Sequence, residues 1–299
     1  MKGVIDSEET AARILQYPVH TKSAETRVLD TGTHGSPVLM LHGLGSRADR
    51  WAHNLRPLAD RGFRVLAVDL PGHGFASKTD VFDYSVNGYA EFVHDVIEAL
   101  QLSEPIIVGT SLGANIAMHY AVKYPRMAKA LVLVGPLGLA PLGSETRRAL
   151  STSIADTRKA AIEAKLTALV SNTDQVDAGW VEEEWRCNNS AGAAHAFSRI
   201  AQYVCDRIDD DVIGDRLKHA GASLPTLLVW GEDDRLLPIS QGRAGQALLP
   251  AGTDLVVIHQ AGHAPYFERP AIFNSRVGTF LDSIRTAEQF SEGSQHASQ

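Results

Sequence analysis

The 299-residue chain has few cysteines, no block of basic residues and no long apolar run, and each shortage removes a class of function. Cys187 and Cys205 are too few for a disulfide framework and lack a CxxC spacing, so free thiols in a reducing compartment are expected. With 28 Lys and Arg against 35 Asp and Glu, and a formal charge of -7, the chain lacks the electrostatic footprint of a nucleic-acid partner. No window approaches about 18 uninterrupted apolar residues, and the start "MKGVIDSEETAARI" has no apolar leader segment. A cytoplasmic protein, neither inserted in a membrane nor secreted, is expected. Phosphate cradles are also missing: neither "HGLG" nor "PGHG" completes G-x-x-x-x-G-K-[ST], and no G-x-G-x-x-G opens a helix. No His, Cys and Asp cluster has metal-ligand spacing, and no cofactor is expected.

What the chain does have is a series of short apolar runs: "PVLMLHG" at 37–43, "RVLAVDL" at 64–70, "PIIVGTS" at 105–111, "KALVLVG" at 129–135, "TLLVWGE" at 226–232 and "DLVVIHQ" at 254–260. They are continuous rather than alternating, as parallel strands covered on both faces are. Helical periods lie between them. "YSVNGYAEFVHDVIEAL" puts Tyr89, Phe92, Val93, Val96, Ile97 and Leu100 on one stripe. Strand and helix alternate, which predicts an α/β fold with a mostly parallel central sheet flanked by helices. The alternation breaks once, from Gly138 to Gly221, where the pattern is helical throughout. The division expected is therefore a core of residues 1–137 and 222–287, an inserted helical cap at 138–221, and a flexible polar tail at 288–299.

The motif "GTSLGAN" at 109–115 sits between an apolar run and a helical stretch. A serine hydroxyl becomes a useful nucleophile only when it is exposed and paired with a base. A sharp strand-to-helix turn exposes it, and side chains two residues away on either side would collide with the neighbouring strand and helix; Gly109 and Gly113 remove those collisions. The first amides of the following helix are unbonded, so the Leu112 N–H is a donor for a developing oxyanion. Downstream, "LLVWGEDDRLLP" offers Asp233 and Asp234 just past one strand, and "VVIHQAGHAPYFERP" offers His263 past the next. The order Ser, Asp, His is that of a G-x-S-x-G enzyme on an α/β sheet.

These pieces, together with "LHGLG" at 41–45 and "DLPGHGFAS" at 69–77, resemble the α/β-hydrolase fold family over nearly all of the chain outside the insertion. The resemblance implies Ser111 as nucleophile, His263 as base, Asp234 as acid, and Leu44 beside Leu112 as the second backbone oxyanion donor. It implies no cofactor and a small-molecule substrate, with self-association left open. His42 and His73 shape loops in such proteins, and Asp69 precedes the serine, so all three are expected to be structural. His94 and His119 fall within helical patterns and are expected to be packed or solvated, and "VEEEW" at 181–185 reads as a solvated helix face.

Several reactions fit this constellation. Hydrolysis of an ester, lactone or thioester of a small hydrophobic substrate needs nothing beyond these residues. The cap and "GPLGLAP" are also similar to the meta-cleavage product hydrolases, which break carbon-carbon bonds in vinylogous diketones. That group tends to carry an asparagine before the nucleophile, an arginine in the cap and a tryptophan beside the histidine, where this chain has Thr110, the nearby Arg186 and Ala264. A ligand receptor with an idle triad is a third reading, while Ser111 argues against halide or epoxide chemistry. Specificity is assigned to the cap, with Trp180, Trp185, Arg186, Phe197 and Tyr203 as pocket candidates.

Overall fold

The computed structural model describes residues 13–220 and 223–296, with side chains described through 287. Eight strands form one sheet in the order β1-β2-β4-β3-β5-β6-β7-β8. β3 (Ser36–Leu41), β4 (Phe63–Val68), β5 (Ile106–Thr110), β6 (Ala130–Val134), β7 (Thr226–Gly231) and β8 (Asp254–Ile258) are parallel and coincide with the six apolar runs. β1 (Leu15–His20) and β2 (Glu25–Asp30) add an antiparallel edge that no apolar run announces. β1 is an exposed edge strand, which is where Pro18 is tolerated. β2 is buried but polar: Arg27 pairs with Asp69 at 2.9 Å, and the Thr26 hydroxyl donates to the Asp69 carbonyl at 2.6 Å.

Continuous apolar runs arise because successive residues feed two cores. Leu39 and Leu41 of β3, Leu131 and Leu133 of β6, and Leu228 and Trp230 of β7 face one core. Val38 and Met40, Val132 and Val134, and Leu227 and Val229 face the other. Helices α2 (Val86–Ala99) and α3 (Leu112–Lys123) cover the first face, burying Tyr89, Phe92, Val93, Ile116 and Tyr120. Helix α1 (Ala52–Ala59) and the last helix of the chain cover the second, through Leu55, Leu58, Phe273, Val277 and Leu281. That last helix spans Pro270–His296 and runs straight through the 287 boundary expected for the core.

Between β6 and β7 lie α4 (Ser144–Ala155), α5 (Lys159–Leu169), α6 (Ala178–Asn188), α7 (Ala193–Asp206) and α8 (Gly214–Ala220). Helices α4 to α7 extend over the carboxyl ends of the strands, whereas α8 packs against α3 through buried Leu217, so it belongs to the sheet layers. After β7 come α9 (Ile239–Gln246), the short α10 (Pro265–Glu268) and the last helix, α11.

The two-core arrangement predicts that Leu228→Ala, at a position with no exposure, lowers the unfolding free energy by about 2–5 kcal/mol. Denaturant unfolding checks this, and a loss within experimental error would contradict the burial.

Candidate active site

Ser111 follows the last residue of β5 and precedes α3, with φ 54° and ψ -114°, a region that a non-glycine residue enters at a cost of about 1–3 kcal/mol. Two glycines make the turn sterically feasible. A Cβ on Gly109 would lie 2.3 Å from the Gly113 carbonyl oxygen, and one on Gly113 would lie 2.4 Å from that of Leu41. The turn is pinned by backbone bonds: the Ser111 N–H donates to Val134 at 2.9 Å, and the Ser111 carbonyl accepts from Leu137 at 3.2 Å. Leu112 is the first residue of α3, so its amide has no carbonyl one turn earlier to bind. Across the crevice the loop after β3 carries Gly43 and Leu44 against the turn, close enough that a Cβ on Gly43 would sit 3.1 Å from Ser111 Cβ.

Asp234 and His263 extend from the loops after β7 and β8. The His263 Nδ1–H donates to Asp234 Oδ2 at 2.7 Å, with both side chains almost fully buried. The other carboxylate oxygen, Oδ1, accepts from the N–H groups of Leu236 and Leu237, each at 2.9 Å. With Oδ2 on the imidazole and Oδ1 on two amides, the carboxylate is fixed in orientation, and the ring is held with Nε2 as its free acceptor. Trp230 steadies the same loop, its Nε1–H donating to the Leu237 carbonyl at 2.8 Å. Asp233 points elsewhere and accepts from the Ser171 hydroxyl at 2.8 Å, so of the two adjacent aspartates it is Asp234 that meets the imidazole.

Ser111, His263 and Leu44 open onto one cavity of about 410 Å³, roofed by α4 to α7. Its walls are mostly apolar, with Leu137, Leu142, Leu150, Ile154, Ile162 and Leu166 among them. Of the five pocket candidates only Phe197 lines it. Trp180 packs against Phe267 in a tilted arrangement, ring centroids 4.4 Å apart, and lies under the Arg50 guanidinium at 4.2 Å, outside the cavity. Trp185 packs on the α5–α6 interface, exposed Arg186 pairs with Glu182 at 2.7 Å, and the Tyr203 hydroxyl accepts from Val86 N–H at 3.0 Å while donating to Asp211. Helix rotation, set by packing, turns these four away.

Other residues take their place. Arg50, Lys165, Glu184, Asn188 and Arg235 all line the cavity, and none stands out from sequence pattern. Glu184 belongs to the acidic triplet expected on a solvated face, yet it is only 2% exposed and pairs with Arg50. Glu183 pairs with Arg47 at 2.6 Å and Glu182 with Lys159 at 2.5 Å as well as with Arg186, so all three carboxylates are engaged in ion pairs. The Arg47 and Arg50 pairs fasten α6 to the segment after β3. Of the Arg47–Glu183 and Arg50–Glu184 pairs, only the latter is buried on both sides, and a buried pair of that kind is a weak contributor to net stability.

The remaining polar residues behave as expected of structural groups. Asp69 accepts from Arg27 and from the N–H groups of Ala48 at 2.7 Å and Phe75 at 3.0 Å. His94 stacks on Tyr124 at 4.1 Å, and His119 Nε2 meets the Asp211 carbonyl at 3.2 Å. Among the described residues no group of His, Cys, Asp and Glu is arranged to hold a metal ion, and no helix is long and apolar enough to cross a membrane.

A parallel sheet whose crevice lies beyond the carboxyl ends of its strands is the frame of the doubly wound α/β proteins, which bind ligands at that edge. Comparison with known sequences narrows this frame: the profile of the alpha/beta hydrolase fold matches residues 36–270, and the chain belongs to that family. It is 29% identical over 268 residues to an uncharacterized protein of Mycobacterium tuberculosis, covering 85% of this chain and 77% of that one. It is 26% identical to the 2-hydroxy-6-oxo-6-(2'-aminophenyl)hexa-2,4-dienoic acid hydrolase of Metapseudomonas resinovorans, covering 92% and 93% of the two chains. Among solved structures, a bacterial membrane phospholipase A superposes with a TM-score of 0.80 at 26% identity, over 93% of this chain and 88% of that one.

Two buried imidazoles beside the site carry a pH consequence. His42 Nε2 accepts the Leu70 N–H at 2.9 Å, which puts its proton on Nδ1 toward the Gly43 carbonyl at 2.8 Å. Burial lowers His42 from 6.5 to about 4 and His73 from 6.5 to about 3. The unfolded chain therefore takes up these protons below pH 6.5 while the folded chain does not, and stability falls as pH drops toward about 4. His73→Leu is expected to flatten that decline by about 1.4 kcal/mol per pH unit in urea unfolding. An unchanged slope would contradict a neutral, buried His73.

Proposed function

We propose that the chain is a serine hydrolase that cleaves a carboxylic ester, lactone or thioester of a small, largely hydrophobic substrate through Ser111, His263 and Asp234. One observation carries the reading: the buried His263–Asp234 pair opens onto the same covered cavity as the strained Ser111 turn. His263 Nε2 takes the Ser111 proton as Oγ attacks the substrate carbonyl. Asp234 keeps the tautomer and stabilises the imidazolium that forms. The amides of Leu44 and Leu112 donate to the tetrahedral oxyanion, a contribution of about 3–4 kcal/mol each in comparable sites. Collapse expels the alcohol or thiol with the proton from His263, leaving an acyl-enzyme. A water, deprotonated by His263, then attacks the acyl carbon, and the acid departs as Ser111 regains its proton.

Carbon-carbon hydrolysis is the second reading, favoured by relatives that carry that activity in their names, including a 28% identical hydroxy-oxononadienedioate hydrolase of Burkholderia vietnamiensis. Against it stand Thr110 before the serine, Ala264 after the histidine, and Arg186 in an exposed ion pair away from the cavity. Side-by-side rates on a simple ester and a ring-fission diketone separate the two.

Ser111→Ala is expected to lower kcat on a p-nitrophenyl ester by about 10⁶-fold with the fold intact, and His263→Ala by a similar factor. Because the residues act as a unit, the double variant should be no slower than either single one. Wild-type-like turnover in Ser111→Ala, or multiplicative losses in the double variant, would contradict the proposal.

A further inference from the structure

The cavity carries more cation than its apolar walls require. Arg50, Lys165 and Arg235 line it against a single carboxylate, Glu184, which Arg50 already engages and Arg47 approaches at 3.5 Å. Arg235 and Lys165 are left over: among the described residues no carboxylate lies within ion-pair distance of either. The Lys165 Nζ donates only to the Asp156 carbonyl, and burial holds the ammonium below its ordinary pKa. An ammonium in that situation gains from an anion brought into the cavity.

A second observation points to the same wall. Asn188 is only 4% exposed and lines the cavity, and among the described residues no group hydrogen-bonds its side-chain amide. Its amide atoms open onto the cavity rather than being sealed within protein, so they are free to meet a ligand there. Asn188 lies one helical turn beyond Glu184 on α6, and α6 packs against α5, which carries Lys165 on the same stripe as Ile162, Leu166 and Leu169. The roof therefore presents an ammonium and an amide N–H to a space whose floor is the Ser111 hydroxyl. Ser46 adds a third donor, since its oxygen accepts from Arg50 Nε at 3.2 Å and its own proton is unassigned to any partner.

We propose that the substrate of this hydrolase carries a carboxylate, bound by Lys165 and Asn188 on the roof of the cavity while its scissile carbonyl rests on Ser111. The inference rests on the hydrolase reading and adds the chemical class of the acyl portion: an apolar chain with a distal acid group. The apolar residues between floor and roof take the chain, and Arg50 and Arg47 both meet Glu184 through Oε2. The distal carboxylate makes no bond and breaks none; it positions the carbonyl.

The test compares two p-nitrophenyl esters of equal chain length, the neutral hexanoate and the mono-ester of adipic acid. Wild type should favour the adipate ester in kcat/KM, chiefly through KM. Lys165→Met should reduce the adipate-to-hexanoate ratio by about 10- to 100-fold, the scale of losing a hydrogen bond to a charged group. Lys165→Arg should recover much of the ratio, and Asn188→Leu should lower it less. A wild-type preference for hexanoate, or a Lys165→Met variant with an unaltered ratio, overturns the proposal. The two readings stay separable: hexanoate turnover that disappears in Ser111→Ala supports the hydrolase whichever way the ratio falls, and its absence defeats both.

Discussion

The close approach of Gly113 to the carbonyls of Leu41 and His42 governs the geometry of the site. At that distance no side chain fits, so helix α3 can begin directly against the end of β3 and its neighbour β5. Ser111, at this turn, has a positive φ, and its side chain lines the cavity. A residue with any Cβ at 109 or 113 would push the helix outward and lower the serine into the backbone. The strain at one residue is tolerated because buried strands on both sides and the bonds from Val134 and Leu137 over-determine the turn.

The same fixing of groups holds Asp234 and His263, the proposed acid and base. Two amides and one imidazole engage Asp234, which fixes the orientation of its carboxylate. Glu268 strengthens the connection to the roof: it accepts from Gly262 at 2.5 Å and from Ser171 at 2.6 Å, joining the residue before His263 to the end of α5. With the Arg47 and Arg50 pairs to α6, the covering helices are tied to the sheet on the side nearest the imidazole. The cavity walls, Ser111 and the His263–Asp234 pair are thus referred to a common frame.

Local patterns reveal those parts of the molecule that are locally determined. Apolar runs mark six strands because each strand is buried on both faces, and the elbow is legible because only glycine satisfies its contacts. β2 escapes because its buried residues include Thr26, Arg27 and Asp30, whose polarity is met by partners far along the chain. The cavity lining escapes for a related reason. Trp180 and Trp185 have the composition of pocket residues, but α6 is rotated so that Val181, Glu184 and Asn188 face inward. A stripe at spacings of three and four was there to be seen; a carboxylate and an amide within it look like a solvated face until Arg50 is known to lie opposite.

We propose that the buried His263 imidazole and the strained Ser111 form one reactive unit beneath the covering helices. Treatment with a serine-directed phosphonate, followed by peptide mass mapping, tests it most directly. A single covalent adduct on Ser111 is expected in the wild type, formed far more slowly in His263→Ala. No adduct, or an adduct on another serine that forms equally fast without the imidazole, would contradict it.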